Sequence, residues 1–175
     1  MKKIIITSLK GVLIFTLICG VLYTSVVTVI GQAFFSDKAN GSLITKEIDG
    51  QKVTVGSSLI GQSFTEDKYL HGRPQEVSQL SPVSDEQKEL VSGRVEEVGK
   101  NVPVDLVTAS ASGVDPHISF ASALFQVERI AKIRGLSEED VKKVITDHTE
   151  GGLIGGTTDK RVNVLEVNLS LDDMT

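Results

Sequence analysis

Apolar and polar positions divide the chain into two unequal parts. From Gly11 to Phe35 it reads GVLIFTLICGVLYTSVVTVIGQAFF, about 25 residues without a charged side chain. Some ~20 residues of helix suffice to cross a bilayer, and a soluble surface helix needs a polar face that this run lacks. The pattern predicts a membrane-spanning helix over 11–35, a short segment 1–10 before it and one folded domain over 36–175.

Beyond Phe35 the periods shorten. Leu43–Ile48 and Gln51–Val55, joined by Asp49-Gly50, predict a β-hairpin, because Asp-Gly accepts the positive φ of a two-residue turn. Phe64 is expected in the core, and the polar stretch Glu66–Pro82 as an irregular loop. Ser84 with Gln87 forms a capping-box pattern ahead of Val91, Val95 and Val98, which predicts a helix to about Gly99. Val102, Val104 and Leu106 alternate as in a strand. Asp115-Pro116 predicts a helix start, with Asp115 as N-cap and Ala121, Leu124, Phe125, Ile130, Ala131 and Ile133 towards the core. Gly135 ends that helix, and Ser137 opens another that carries Val141, Val144 and Ile145 up to Gly151-Gly152. Leu165, Val167, Leu169 and Leu171 alternate, which predicts a final half-buried strand within Arg161–Leu171. The order β-β-loop-α-β-α-α-β gives one mixed α/β (α+β) domain with a small sheet.

The flanks of the apolar run add an orientation. Lys2, Lys3 and Lys10 precede it with no acidic residue before Asp37, which predicts a cytoplasmic N-terminus and an extracytoplasmic domain. A cleaved signal peptide would have an apolar core of roughly 7–15 residues and an A-x-A-like site. This run is longer and lacks the site, and Ile18 before Cys19 does not fit a lipoprotein signal. Within the run, Thr16, Gly20, Thr24 and Thr28 recur every four residues and Gln32 continues the row. Small and hydroxylated side chains at that spacing let a second membrane helix approach, so this row is the expected partner face.

Composition narrows the functional classes. A single Cys, inside the apolar run, precludes an intramolecular disulfide, so the domain must stand on packing alone. Two Tyr, six Phe and no Trp argue against a base-stacking nucleic-acid surface. With three Lys assigned to the cytoplasmic side, 15 basic and 23 acidic residues remain outside, a balance of −8. That balance opposes binding to DNA or anionic lipid.

The chemistry-bearing residues form no persuasive catalytic pattern. Ser110, Ser112, Asp115 and His117 offer the groups of a serine hydrolase, but without a G-x-S-x-G elbow. Asp115 is better used as a helix cap. The three histidines, His71, His117 and His148, are far apart and lack metal-ligand spacing. Gly155-Gly156-Thr157-Thr158 lacks the Lys that a phosphate loop requires and reads as a turn.

Taken in order, GSLI (41–44), GSSLIGQSF (56–64), HGRP (71–74), PVDLVTASASGVDPHIS (103–119), QVERIAKIRGL (126–136), HTEG (148–151) and RVNVLEVNLSLD (161–172) resemble the KdpC family. These are the C subunits of the bacterial high-affinity potassium-transporting ATPase. The resemblance spans nearly the whole chain, and the DLVTASASGVDPHIS block is its most specific part. It departs after Pro74, where a longer Ser/Gly/Asn-rich loop is replaced by QEVSQLSPVSDEQ, and at Phe120, where the family carries Pro.

The resemblance implies a noncatalytic subunit in the bacterial cell membrane. Its partners would be a channel-like potassium subunit, a P-type ATPase subunit holding the hydrolytic site and a small helical subunit. It also implies a catalytic chaperone that raises ATP affinity, and ATP binding as described for the family. A domain facing outwards, however, cannot touch a cytoplasmic nucleotide. The matching motif residues Arg73, Asp115, His117, Gln126, His148 and Asn163 have no assigned role. Two other classes remain open at this stage. One is a membrane-anchored extracellular hydrolase centred on His117. The other is a ligand-binding ectodomain, whose segment of about ten cytoplasmic residues is too short to be a domain.

Overall fold

The computed structural model describes residues 1–48, 50–77, 79–151 and 160–174. The chain divides into two compact units, Met1–Leu43 and Ile44–Thr175.

The first unit is one continuous helical run. It comprises α1 (Lys2–Phe15), a π-helical stretch Thr16–Tyr23 and α2 (Thr24–Phe34), followed by a single turn, α3 (Ser36–Ala39). Over Lys2–Phe34 it has the length and composition to cross a membrane, and none of its apolar window is buried. A helix that is apolar all round with nothing packed on it requires an apolar solvent.

The predicted hairpin follows, β1 (Leu43–Ile48) and β2 (Gln51–Ser57), with all but Leu43 in the second unit. Gly50 takes φ +75° in the turn, while Asp49 lies outside the described residues. The expected loop 66–82 contains no helix or strand among its described residues. Helix α4 (Asp85–Val98) starts where the capping pattern places it, with Ser84 Oγ accepting from the Gln87 N–H.

The alternating Val102–Leu106 segment is a 3-10 turn, Val104–Leu106, rather than a strand. Pro103 precedes it and only Leu106 is buried, so one inward side chain replaces a paired edge.

Asp115-Pro116 opens no helix. Asp115 Oδ1 accepts from the His117 N–H, and the chain continues into a strand, β3 (His117–Ser119). Its side chain stabilises a turn, the local competition that Asp offers to a helix. The helix starts later, at α5 (Phe120–Phe125), with Ser119 as N-cap. Phe120 thus occupies the first helical position, which suits Pro by its fixed φ, and its ring packs against the core.

A break at Gln126 separates α5 from α6 (Val127–Arg134) and resets the inward face. Ala123, Val127, Ile130 and Ala131 are buried, whereas Ala121, Leu124, Phe125 and Ile133 are exposed. Gly135 ends α6 with φ +68°, as the sequence indicates. Helix α7 (Glu138–Asp147) is capped by Ser137, buries Val141 and Ile145, and stops before the strand β4 (Thr149–Glu150).

The last segment reverses the sequence expectation. Only Arg161–Asn163 is a strand (β5), and Val164–Asp172 is a helix, α8. Val164, Leu165, Val167, Asn168 and Leu171 are its buried positions. They follow helical spacing, so the two-residue alternation is incidental. Asn163 accepts from the Glu166 N–H, the signature of a helix N-terminus.

β5 lies between β3 and β4, antiparallel to both, with Val162 opposite Ile118 and Thr149. The domain is therefore α/β with two small sheets. Its core gathers Leu70, Ile118, Ile130, Ile145, Val162, Val167 and Leu171 between this sheet and α5–α8.

Candidate functional site

The motifs quoted above converge on a segment around HGRP that, among the described residues, makes no ladder with any strand. Side chains hold it instead. Asn168 accepts from the Leu70 N–H (2.7 Å) and donates to its carbonyl (2.9 Å). Gln126 does the same for His71, at 2.9 and 3.0 Å. Two buried amides thus satisfy consecutive backbone units as a neighbouring strand would. Arg129 donates to the carbonyls of Asp67 and Tyr69, and Arg134 donates to Lys68 O at 2.7 Å and pairs with Asp172 at 2.8 Å.

Beyond this grip, Arg73 organises a polar node. Its guanidinium donates to Asp105 Oδ1 at 2.8 Å and to the Thr108 carbonyl at 3.2 Å, and lies 3.6 Å from Asp115 Oδ2. The other oxygen of Asp105 accepts from the Ser119 N–H (2.9 Å) and from Ser122 Oγ (3.1 Å). Burial pushes the Asp105 carboxyl up, but the Ser119 and Ser122 hydrogen bonds and the Arg73 charge outweigh it, so the carboxyl titrates below its ordinary value. The node stitches HGRP, the 3-10 turn, β3 and α5 together. Gly61 belongs to the same packing: a Cβ there would lie 2.5 Å from the Asp115 carbonyl oxygen.

The singled-out residues therefore separate into groups. Arg73, Asp115 and His117 meet at the node, where His117 Nδ1 is 3.8 Å from Asp115 Oδ1. Asn163 sits opposite His117 across the β3–β5 pair, caps α8 and donates to the Ser58 carbonyl at 2.8 Å. His148 stands apart, its Nε2 2.7 Å from Ser170 Oγ and its Nδ1 3.6 Å from Glu166. That order resembles a hydrolytic triad. Ser170 lies inside α8, however, where backbone N–H groups are committed to the helix and cannot form an oxyanion hole.

Ser110 and Ser112 accept from the N–H groups of Gly113 and Val114. Among the described residues no serine hydroxyl bonds to His117, so Ser110, Ser112, Asp115 and His117 form no triad. No group of three His, Cys, Asp or Glu side chains is gathered for a metal among the described residues. Of the Gly155–Thr158 turn, all four residues lie outside them.

In the first unit, Thr24 folds its hydroxyl back onto Gly20 O at 2.6 Å and Val21 O at 3.1 Å. Thr16 and Gly20 remain neighbours, with Thr16 Cγ2 3.9 Å from the position a Gly20 Cβ would take. The π-helical turns between Thr16 and Tyr23 bond from i to i+5, so the row passes through a widened stretch before Thr28. The Gln32 amide is paired with Asn40 through two 3.2 Å bonds.

Sequence reasoning missed Asp105, Ser119, Ser122, Arg129, Arg134 and Asn168. Asn168 carries the clearest signal in retrospect. Once α8 is read as a helix, it is a polar residue on the buried face.

A cleft of about 710 Å³ opens beside HGRP, between this segment, α4 and the end of α5. A nucleotide would bring phosphates that need free cationic or N–H donors. Here Arg73 and Arg129 direct their donors to the chain's own carboxylates and carbonyls. Arg94 donates to the Val107 carbonyl, and the carboxylates of Glu76 and Glu97 also line the cleft. These residues do not fit a triphosphate.

The sequence profile described as "K+-transporting ATPase, c chain" matches residues 5–173. The "Potassium-transporting ATPase KdpC subunit" of Listeria monocytogenes serovar 1/2a is 49% identical over 173 residues, covering 93% of this chain and 91% of that one. The protein of the same description from Clostridium perfringens is 45% identical over 196 residues, with 97% of each chain covered. That of Koribacter versatilis is 41% identical over 188 residues, covering 98% and 95%. A match of this extent shows that the chain belongs to the KdpC family of potassium-transporting ATPase subunits.

Proposed function

We propose that this chain holds its transporter together from outside the cytoplasm. The helix anchors it among the membrane subunits, and the domain stands by the potassium entrance, which it covers or stabilises. The observation that carries the placement is Lys2, Lys3 and Lys10 ahead of an apolar helix that nothing in the chain buries, the charge pattern of a cytoplasmic N-terminus. In this reading Thr16, Gly20, Thr24 and Thr28 face a partner helix, since Gly20 has room that its own chain does not use.

ATP hydrolysis belongs to a P-type subunit with its site on the cytoplasmic side. The further partners are the channel-like potassium subunit and the small helical subunit. Any rise in ATP affinity, the catalytic-chaperone effect, then passes through the assembled complex and not through a nucleotide held here. The node around Arg73 and the amide grip on Leu70 and His71 are frameworks, with their donors and acceptors turned inward.

The test is a transporter whose C subunit is cut after Phe35. The proposal expects the ATPase of the purified complex to lose potassium affinity, with the apparent constant raised roughly tenfold. Unchanged affinity and transport rate would refute the entrance role.

A further inference from the structure

Among the described residues, helix α4 differs from every other helix of the domain longer than one turn. It has no buried residue, although Val91, Val95 and Val98 recur at helical spacing. Val95 and Val98 remain 37% and 45% exposed. The cleft described above runs along its C-terminal half, with Phe64, Leu106, Phe125 and Val98 in its lining. A second groove of about 480 Å³ runs along its N-terminal half, and both grooves are lined by Glu76 and Arg94. The side of α4 nearest the domain is thus spanned by Arg94 more than it is packed.

The charges around the cleft are ordered by depth. The Arg94 side chain is only 14% exposed and donates inward, whereas that of Glu76 is 90% exposed. Glu96 and Glu97 are exposed in the last turn of α4, which contains no basic residue. Carboxylates at a helix C-terminus stand against the negative end of the helix dipole, an unfavourable placement that a neighbouring cation reverses. Among the described residues no ion pair involves Glu96, Glu97 or Lys100. The cleft thus sets Phe64, Val98, Leu106 and Phe125 among arginines whose donors are committed within the chain (Arg73, Arg94 and Arg129), and the exposed carboxylates at the end of α4 give it an acidic edge.

From this we infer that the cleft beside α4 seats an apolar segment of another transporter subunit, with a Lys or Arg of that segment against Glu96 and Glu97. Charge selects the occupant. The same edge repels phosphates and acidic peptides, and a lipid surface would favour basic rather than acidic rims. This seat rests on the accessory-subunit reading and names the face that serves it.

The test uses the intact membrane complex. A benzophenone amino acid replaces Val98, and the complex is irradiated and the adduct mapped by mass spectrometry. The seat predicts an adduct on a different transporter subunit, within a segment that contains Lys or Arg. An adduct on this chain itself, on a second copy of it or on lipid overturns it.

In parallel, the double substitution Glu96→Arg and Glu97→Arg changes only exposed carboxylates. It is expected to lower recovery of the other subunits roughly tenfold, while the thermal unfolding of the purified variant is not lowered, since cations suit the helix C-terminus. Full recovery with this variant overturns the seat and leaves the accessory role standing. Failure of the unsubstituted chain to recover any other subunit overturns both.

Discussion

The two units of this molecule use the same residue types in opposite ways. In the helical run from Lys2 to Phe34, Leu, Ile, Val and Phe point outwards at every angle and none is buried. In the domain the same residues close a core in which Leu70, Ile130, Val141, Ile145, Val162, Val167 and Leu171 are fully covered. Polar groups divide likewise. Thr24 and Gln32 are satisfied locally, by the helix's own carbonyls and by Asn40, whereas Gln126 and Asn168 reach across more than 50 residues of sequence. The difference teaches what solvent each part is suited to. A helix in lipid gains nothing by hiding apolar side chains and must satisfy its backbone within itself, while a domain in water must hide them and can satisfy buried backbone from distant side chains.

That contrast is open to direct attack. The largest expected effect is from Ile130→Ala, which should cost the domain about 2–5 kcal/mol through lost burial and a cavity. Val29→Ala, an equally apolar truncation in α2, should leave domain unfolding within about 0.5 kcal/mol. Denaturant unfolding of the full chain in mild detergent measures both, and equal losses would erase the distinction.

A smaller loss is expected for Asn168→Ala. It strands the Leu70 N–H and carbonyl in a buried site, at about 1–3 kcal/mol. Asn40→Ala, which breaks the corresponding amide pair of the first unit, should have no measurable effect on the domain.

The smallest effect is a pH slope. Burial, aided by the Arg129 charge, lowers the His71 pKa below its ordinary 6.5. The unfolded chain therefore binds the proton first, and His71 makes stability fall as pH drops from about 6.5 through its folded value. Asp105 acts at lower pH. Its carboxyl is lowered in the fold, so its contribution is present above the ordinary 3.8 and is lost as pH falls through its folded value. Urea midpoints of His71→Gln should be flatter between pH 7 and 5 than those of the parent and should still drop below pH 4.

What the sequence reveals here is what neighbours decide. The long apolar helix, the β1–β2 hairpin, the Ser84 and Ser137 caps and the Gly135 stop all rest on interactions within a few residues, and all are present among the described residues. The strand expected over 165–171 fails because alternating Leu and Val fit both periods. The deciding residues were Asn163 and Glu166, which mark a helix start three residues apart. Asp115 illustrates the same ambiguity, since an Asx turn and a helix cap use one side chain in nearly one way.

The node was half legible. Arg73, Asp115, His117 and Gln126 stand in recognisable motifs, but their pairing with Asp105, Ser119 and His71 is set by long-range packing. The exposure of α4 was not legible at all, since its valines have the spacing of an inward face.

The proposed role depends on which side of the membrane the domain occupies. The most direct measurement places one cysteine on the exposed face of α7, Lys143→Cys in a Cys19→Ser background, and treats intact cells with a membrane-impermeant maleimide. With the domain outside, full labelling is expected before lysis. Labelling that appears only after the cells are opened would put the domain in the cytoplasm and contradict the proposed role.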